Sequence, residues 1–191
     1  MVATPLEIDR PLTYEDLEGF PDDGNRYELL QGDLIVSPSP DGKHQIVSGR
    51  LYRALSAATE AAKFGTVLYA PFDVRFSASN VVEPDLFAFR VDQYDQYKGK
   101  YFEGAPAFVI EILSTGSVRT DRVRKAALYM ENGVEEYWIV EPHAKRVLVH
   151  LIGVDEPMPR IISEGTLDSM VIPGFSVELT ALFAPELETF E

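Results

Sequence analysis

The chain has 191 residues, 46% of them hydrophobic and 25% charged, the balance of a globular protein of one domain and neither a fibrous nor a disordered one. Its 31 acidic and 17 basic side chains leave a net charge of −14, which argues against loose coating of nucleic acid or of anionic membrane. With no cysteine there is no disulfide framework, thiolate metal site or cysteine nucleophile, and a reducing, cytoplasmic setting is expected.

The first ten residues carry Glu7 and Asp9 and no apolar run of the signal-peptide kind. Thr13 and Asp16 form an N-cap pair that opens a short helix ending near Gly19 and Phe20. After the turn Pro21-Asp22-Asp23-Gly24, residues 27–30 and 33–36 flank Gln31-Gly32 as a β-hairpin. Residues 37–42 break the pattern. From 43 to 63, Ile46, Val47, Leu51, Ala54, Leu55, Ala58 and Ala62 keep helical spacing, which predicts the first long helix.

Strands are expected around residues 66–69, 72–76, 84–89 and 107–113, the last preceded by a polar Tyr/Lys/Gly segment at 92–104. The most apolar stretch, 107–113, is seven residues long, whereas a membrane helix needs about 20, so no membrane span is expected. A second helix is predicted over 119–131 with Val123, Ala126, Ala127 and Met130 inward and Asn132-Gly133 as its C-terminal stop. Strands over 136–140 and 145–152 follow, then short ones near 160–163 and 170–172 and a helical turn at 179–183. This order predicts an α/β (α+β) mixed sheet with helices packed against it, in a single domain over residues 1–191 with its core at about 12–183.

The charge is uneven. Residues 43–146 hold 14 bases and 13 acids, so the net negative charge lies in the two ends. Both predicted long helices are basic. In the second, residues 119–125 hold Arg119, Arg122, Arg124 and Lys125 against Asp121 alone. Either run by itself is what a solvated helix face looks like.

Three residues stand out chemically. Glu111 interrupts Phe108-Val109-Ile110-Glu111-Ile112-Leu113, where a carboxylate is paired, binds a metal, or reaches water at a strand edge. Asp85 enters an apolar strand at its mouth, with Glu83 two residues upstream on the same face. Lys125 has Asp121 four residues before it, the spacing of an ordinary helical ion pair. Together they occur in the order strand, strand, following helix, in which metal-dependent phosphodiesterases collect their ligands. Two hard carboxylates on neighbouring strands suit Mg²⁺ or Mn²⁺, and a nearby lysine holds water or offsets transition-state charge.

The stretches Tyr27-Glu28-Leu29-Leu30-Gln31-Gly32-Asp33-Leu34, Val82-Glu83-Pro84-Asp85-Leu86, Gly104-Ala105-Pro106 with Val109-Ile110-Glu111-Ile112-Leu113-Ser114, and Gly133-Val134-Glu135-Glu136-Tyr137-Trp138-Ile139-Val140 resemble the Uma-type family. Its members are restriction-endonuclease-like proteins of the PD-(D/E)xK superfamily, and the resemblance covers about residues 12–183. It implies a restriction-endonuclease-like mixed sheet flanked by helices, with a divalent-metal site at the sheet edge. Asp85 takes the place of the motif aspartate and Glu111 that of its second carboxylate. Leu113 stands where the superfamily places lysine, and the family's lysine corresponds to Lys125 on the next helix. Glu28 corresponds to the family's upstream acid and His44 to its histidine, for metal completion and for phosphate contact or proton transfer, unless both are structural. Ser114-Thr115-Gly116-Ser117 replaces the family's Ser-Pro-Ser-Thr, a change expected to loosen that loop.

The implied activity is Mg²⁺-dependent endonucleolytic hydrolysis of DNA by a homodimer, with Arg119, Arg122 and Arg124 steering the phosphodiester backbone. The rivals are a non-catalytic nucleic-acid- or protein-binding module on the same fold, and a nuclease for RNA or small phosphodiesters. Elsewhere the signals are weaker. His143 and His150 lack metal-ligand spacing, no serine sits in a Gly-x-Ser-x-Gly elbow, and Trp138 reads as core.

Overall fold

The computed structural model describes residues 10–114, 119–152 and 158–184, and of 119–122 the backbone alone. The expected features at residues 1–9, in the loop Thr115-Gly116-Ser117 and at the side chains of Arg119, Asp121 and Arg122 lie outside the described residues.

Thr13 opens the short helix α1 (Tyr14–Leu17) through a capping box, its amide donating to Asp16 Oδ2 at 2.8 Å. Strands β1 (Arg26–Leu30) and β2 (Asp33–Ser37) form the predicted antiparallel hairpin. Gln31 and Gly32 both have positive φ, 57° and 82°, the mirror-image turn that matches strand twist. Helix α2 (Gly42–Ala61) is capped by Asp41, whose carboxylate accepts from the His44 amide at 2.8 Å. Its buried stripe is His44, Val47, Leu51, Leu55 and Ala58, and Leu51 and Leu55 each contribute about 1.5–3 kcal/mol by leaving water.

The remaining strands divide between two main sheets. A six-stranded sheet has the order β11 (Arg160–Ile162), β10 (Arg146–Leu151), β9 (Glu136–Glu141), β8 (Phe108–Ile112), β6 (Leu86–Arg90), β3 (Gly65–Tyr69). Only β8 and β9 are parallel among these neighbours, and helix α3 (Arg119–Glu131) connects them. A five-stranded sheet has the order β2, β1, β5 (Asn80–Val82), β4 (Asp73–Ser77), β7 (Tyr101–Glu103). Strands β12 (Thr166–Asp168) and β13 (Ser176–Glu178) pair separately, and α4 (Leu179–Leu182) follows.

The pleat of the six-stranded sheet builds two cores. Leu86, Ala88, Phe108, Ile110, Ile112 and Trp138 face α2. The alternate residues Phe87, Phe89, Val109, Tyr137 and Ile139 face the second sheet and α3. Trp138 is fully buried between Phe108 and Phe175, so it is core as expected. No helix among the described residues is long and apolar enough to cross a membrane.

Three sequence expectations change. One mixed sheet becomes two, because β1, β2, β4 and the unforeseen three-residue strands β5 and β7 pair among themselves. Residues 170–172 form no strand: the Met170 and Val171 amides donate to Glu136 Oε2 at 2.9 and 3.0 Å, and Ile172 donates to Ser169 Oγ. Helix α3 is rotated from its predicted phase. Val123 is 64% exposed and Ala127 is exposed, while Leu128 and Tyr129 are buried.

Candidate active site

Asp85 and Glu111 meet because of strand register. The pairing Leu86↔Ile110 of antiparallel β6 and β8, continued by one residue, sets Asp85 opposite Glu111. Both project to the same face as Phe87 and Val109, towards the second sheet and α3. Glu28 arrives from that sheet on β1, and Lys125 from α3, one turn before Leu128 and Tyr129.

Lys125 Nζ lies 2.7 Å from Glu28 Oε1 and 3.0 Å from Glu111 Oε1. Glu28 Oε1 also accepts from the Glu83 amide at 2.8 Å, and Glu111 Oε1 from the Tyr129 hydroxyl at 2.7 Å. Asp85 Oδ2 accepts from the Ile112 amide at 2.7 Å and faces His44 Nε2 at 3.1 Å. Its Oδ1 accepts from Arg26, 2.9 Å away, whose Nε lies 2.9 Å from Glu83. Three carboxylates, Glu28, Asp85 and Glu111, are thereby buried with 1%, 3% and 6% exposure. Burial of this kind is sustained only by such pairing.

The electrostatics follow from the packing. Burial favours the neutral acid at Asp85, yet His44, the Arg26 charge and the Ile112 amide hold its carboxyl below the usual range. Glu111 goes the other way: burial raises it, against the pull of Lys125. Burial opposes the charges of Lys125 and Arg26, but the surrounding carboxylates keep both above their ordinary values. Glu83 is pushed up to about 7, chiefly by burial and against Arg26. Two neighbouring carboxyls with opposite shifts are the arrangement that separates acid from base roles.

Of the predicted residues, Asp85, Glu111, Lys125, Glu28 and His44 line one small pocket of about 90 Å³. Arg124 does not join them. Its Nη2 donates to Leu30 O at 2.8 Å and Asp33 Oδ2 at 2.7 Å, tying α3 to the hairpin. His150 stacks on Tyr137 and is shifted down by burial, a packing role. Arg26 and Tyr129 are site residues that the sequence reading missed, and each carried a signal. Arg26 is two residues before Glu28 and shares its strand face, and Tyr129 is one helical turn after Lys125.

The donor set suits a hard divalent ion. Asp85 and Glu111 offer carboxylate oxygens from opposed strand positions into one pocket, and Mg²⁺ commonly takes one or two carboxylates and keeps several waters. Among the described residues no group of three or more histidine or acid side chains is placed to hold a metal ion, so the protein's share of the donors is these two carboxylates.

The sequence model of the family Uma2, described as "Putative restriction endonuclease", matches residues 12–181. The chain belongs to the Uma2 family. The crystal structure of "a putative nuclease belonging to DUF820 from Anabaena variabilis" is 18% identical, covering 91% of this chain and 98% of that one with a TM-score of 0.75. At that identity the likeness shows a shared fold, and it agrees with the mixed α/β class expected from the sequence. No curated protein matches the chain.

Proposed function

We propose that this Uma2 chain is a divalent-metal-dependent nuclease that hydrolyses phosphodiester bonds in DNA. The observation that carries the reading is the single Lys125 ammonium shared between Glu28 and Glu111, beside an Asp85 held ionised by Arg26 and His44. A divalent ion held by Asp85 and Glu111 would supply charge neutralisation at the phosphate and a more acidic water. The Lys125 side chain serves the same centre by orienting water and offsetting charge on a non-bridging oxygen. His44 places Nε2 3.1 Å from Asp85 Oδ2 and so orients that carboxylate, while its Nδ1 is buried and has no hydrogen-bond partner among the described residues. Arg26 orients Asp85 from the other side.

The cysteine-free composition suits action in the reducing cytoplasm, and the superfamily's habit of cutting two strands with two sites suits a homodimer, which light scattering would reveal. A second reading, a non-catalytic binding module, draws on one observation: Asp85 and Glu111 are already satisfied by protein cations and amides. Calorimetric titration with Mg²⁺ and Mn²⁺ separates the two. Wild type binds an ion that Asp85→Ala and Glu111→Ala do not, and nicks plasmid DNA faster than Glu111→Ala and Lys125→Ala. Absence of binding by wild type, or nicking that persists unchanged in these variants, rejects the nuclease.

A further inference from the structure

Next to the catalytic pocket lies a wider cleft of about 660 Å³, which shares Arg26, Pro38, Pro40, His44 and Asp85 with it as a common wall. The two spaces therefore meet at Asp85. The cleft has the volume of a small-molecule site, enough for a nucleotide or two and not for the width of a duplex.

One face of α2 forms its side. Gln45, Ser48, Gly49 and Tyr52, spaced i, i+3, i+4, i+7, line it beside the buried stripe that anchors the helix. Tyr52 meets Tyr69 edge to face, with centroids 5.0 Å apart, and Tyr69 remains 56% exposed. A Cβ at Gly49 would meet nothing within 4 Å, so the helix leaves open space there. Among the described residues the one lysine or arginine on the wall is Arg26, already paired with Glu83 and Asp85, while Asp22, Glu83 and Asp85 are acidic. Such a surface repels a bare phosphate backbone. It offers instead an aromatic face and uncharged hydrogen-bonding groups from Gln45, Ser48 and Asn25, the combination that holds an unpaired base by stacking and by its edge.

We propose that this cleft is a base-binding subsite, which takes an unpaired nucleobase of single-stranded DNA whose phosphate lies at Asp85 and Glu111. The proposal deepens the nuclease reading and rests on it. A buried Asp85 at the junction fits this substrate class, because a single strand can bend its phosphate inward whereas a stacked duplex holds it at the rim.

The test is fluorescence anisotropy in Mg²⁺ with a labelled dodecamer of phosphorothioate DNA, which resists cutting. It is offered single-stranded, as a duplex, and as a single strand of abasic residues. Wild type binds the intact single strand at least about tenfold more tightly than the other two, the scale of one stacked base. Gly49→Leu, which fills the cleft, and Tyr69→Ala, which removes the platform, each lose about tenfold for the intact strand and nothing for the abasic one. Both sites tolerate change: Gly49 is in mid-helix with free space and Tyr69 is exposed, and circular dichroism verifies folding. Equal affinities for the three DNAs, no binding by wild type, or unaltered binding by both variants overturns the subsite. Plasmid nicking that is lost in Glu111→Ala while Gly49→Leu and Tyr69→Ala bind like wild type leaves the nuclease standing and removes the subsite alone. Base-dependent binding without metal binding and without cutting of unmodified single-stranded DNA removes the nuclease alone.

Discussion

Lys125→Met tests whether one ammonium holds the buried acids together. At 2.7 Å from Glu28 and 3.0 Å from Glu111, each attraction is worth about 6 kcal/mol before desolvation at an effective dielectric of about 20. The lysine's own burial cost and side-chain entropy offset most of that. The variant keeps both carboxylates buried without their cation, and removing one partner of such a pair costs about 3–5 kcal/mol. For a chain of this length the melting temperature falls by about 10 °C near pH 8. Near pH 5 the deficit against wild type shrinks. The lost cation raises the folded-state pKa of Glu111, already pushed up by burial, further above the unfolded value, so the folded variant binds more protons between the two. Its stability is then present at low pH and lost as pH rises. Mg²⁺ restores part of the loss if Glu111 is a ligand. Thermal melts at the two pH values read all three effects. A drop under about 2 °C near pH 8, or one that does not shrink near pH 5, refutes the shared-ammonium account.

Other expectations follow from single contacts. Tyr129→Phe removes a 2.7 Å bond to buried Glu111 and costs about 1.5–3 kcal/mol in urea denaturation, the range for bonds to charged groups. Glu136, fully buried, accepts from Trp138 Nε1, Ser169 Oγ and the Met170 and Val171 amides. Glu136→Gln turns an amide donor towards those donors and lowers stability by about 2–4 kcal/mol, with calorimetric metal affinity unchanged. Asp73 is pushed up to about 6 by burial and by Glu28. Its folded form keeps a proton that the unfolded chain has released, so stability falls as pH rises from about 4 to about 6. Asp73→Asn removes that decline and gains about 1–3 kcal/mol near pH 7, allowing for solvent screening. An unchanged urea-stability profile across that window would falsify the assignment.

The site was legible in the sequence where local rules sufficed. Glu111 inside an apolar run and Asp85 at a strand mouth stood out in the sequence, which left pairing, metal binding and contact with water open, and the fold buries both. Lys125 joined them by its place on the following helix, the resemblance to the Uma-type family added Glu28 and His44, and all five line one pocket. Arg26 escaped notice because its partner is Asp85, 59 residues away, and its shared strand face with Glu28 was the one local sign of the site. The basic run of α3 looked uniform, yet the fold uses its members differently. Lys125 turns inward to two acids, while Arg124 is held by Asp33 and the Leu30 carbonyl.

The sequence by itself determined the local elements: the Thr13–Asp16 capping box, the hairpin turning at Gln31-Gly32, the α2 stripe and the β6 and β8 strands. These depend on contacts within a few residues, which periodicity and turn chemistry record. Tertiary structure alone decided the division into two sheets, the rotation of α3 that exposes Val123, and the cleft beside Asp85. Three-residue strands such as β5 and β7 are too short to show a period, and they exist because partners distant in sequence supply their hydrogen bonds. The charge of −14 likewise says nothing of a centre where Arg26 and Lys125 are enclosed by acids, since net charge is a sum and the chemistry depends on which charges the fold sets side by side.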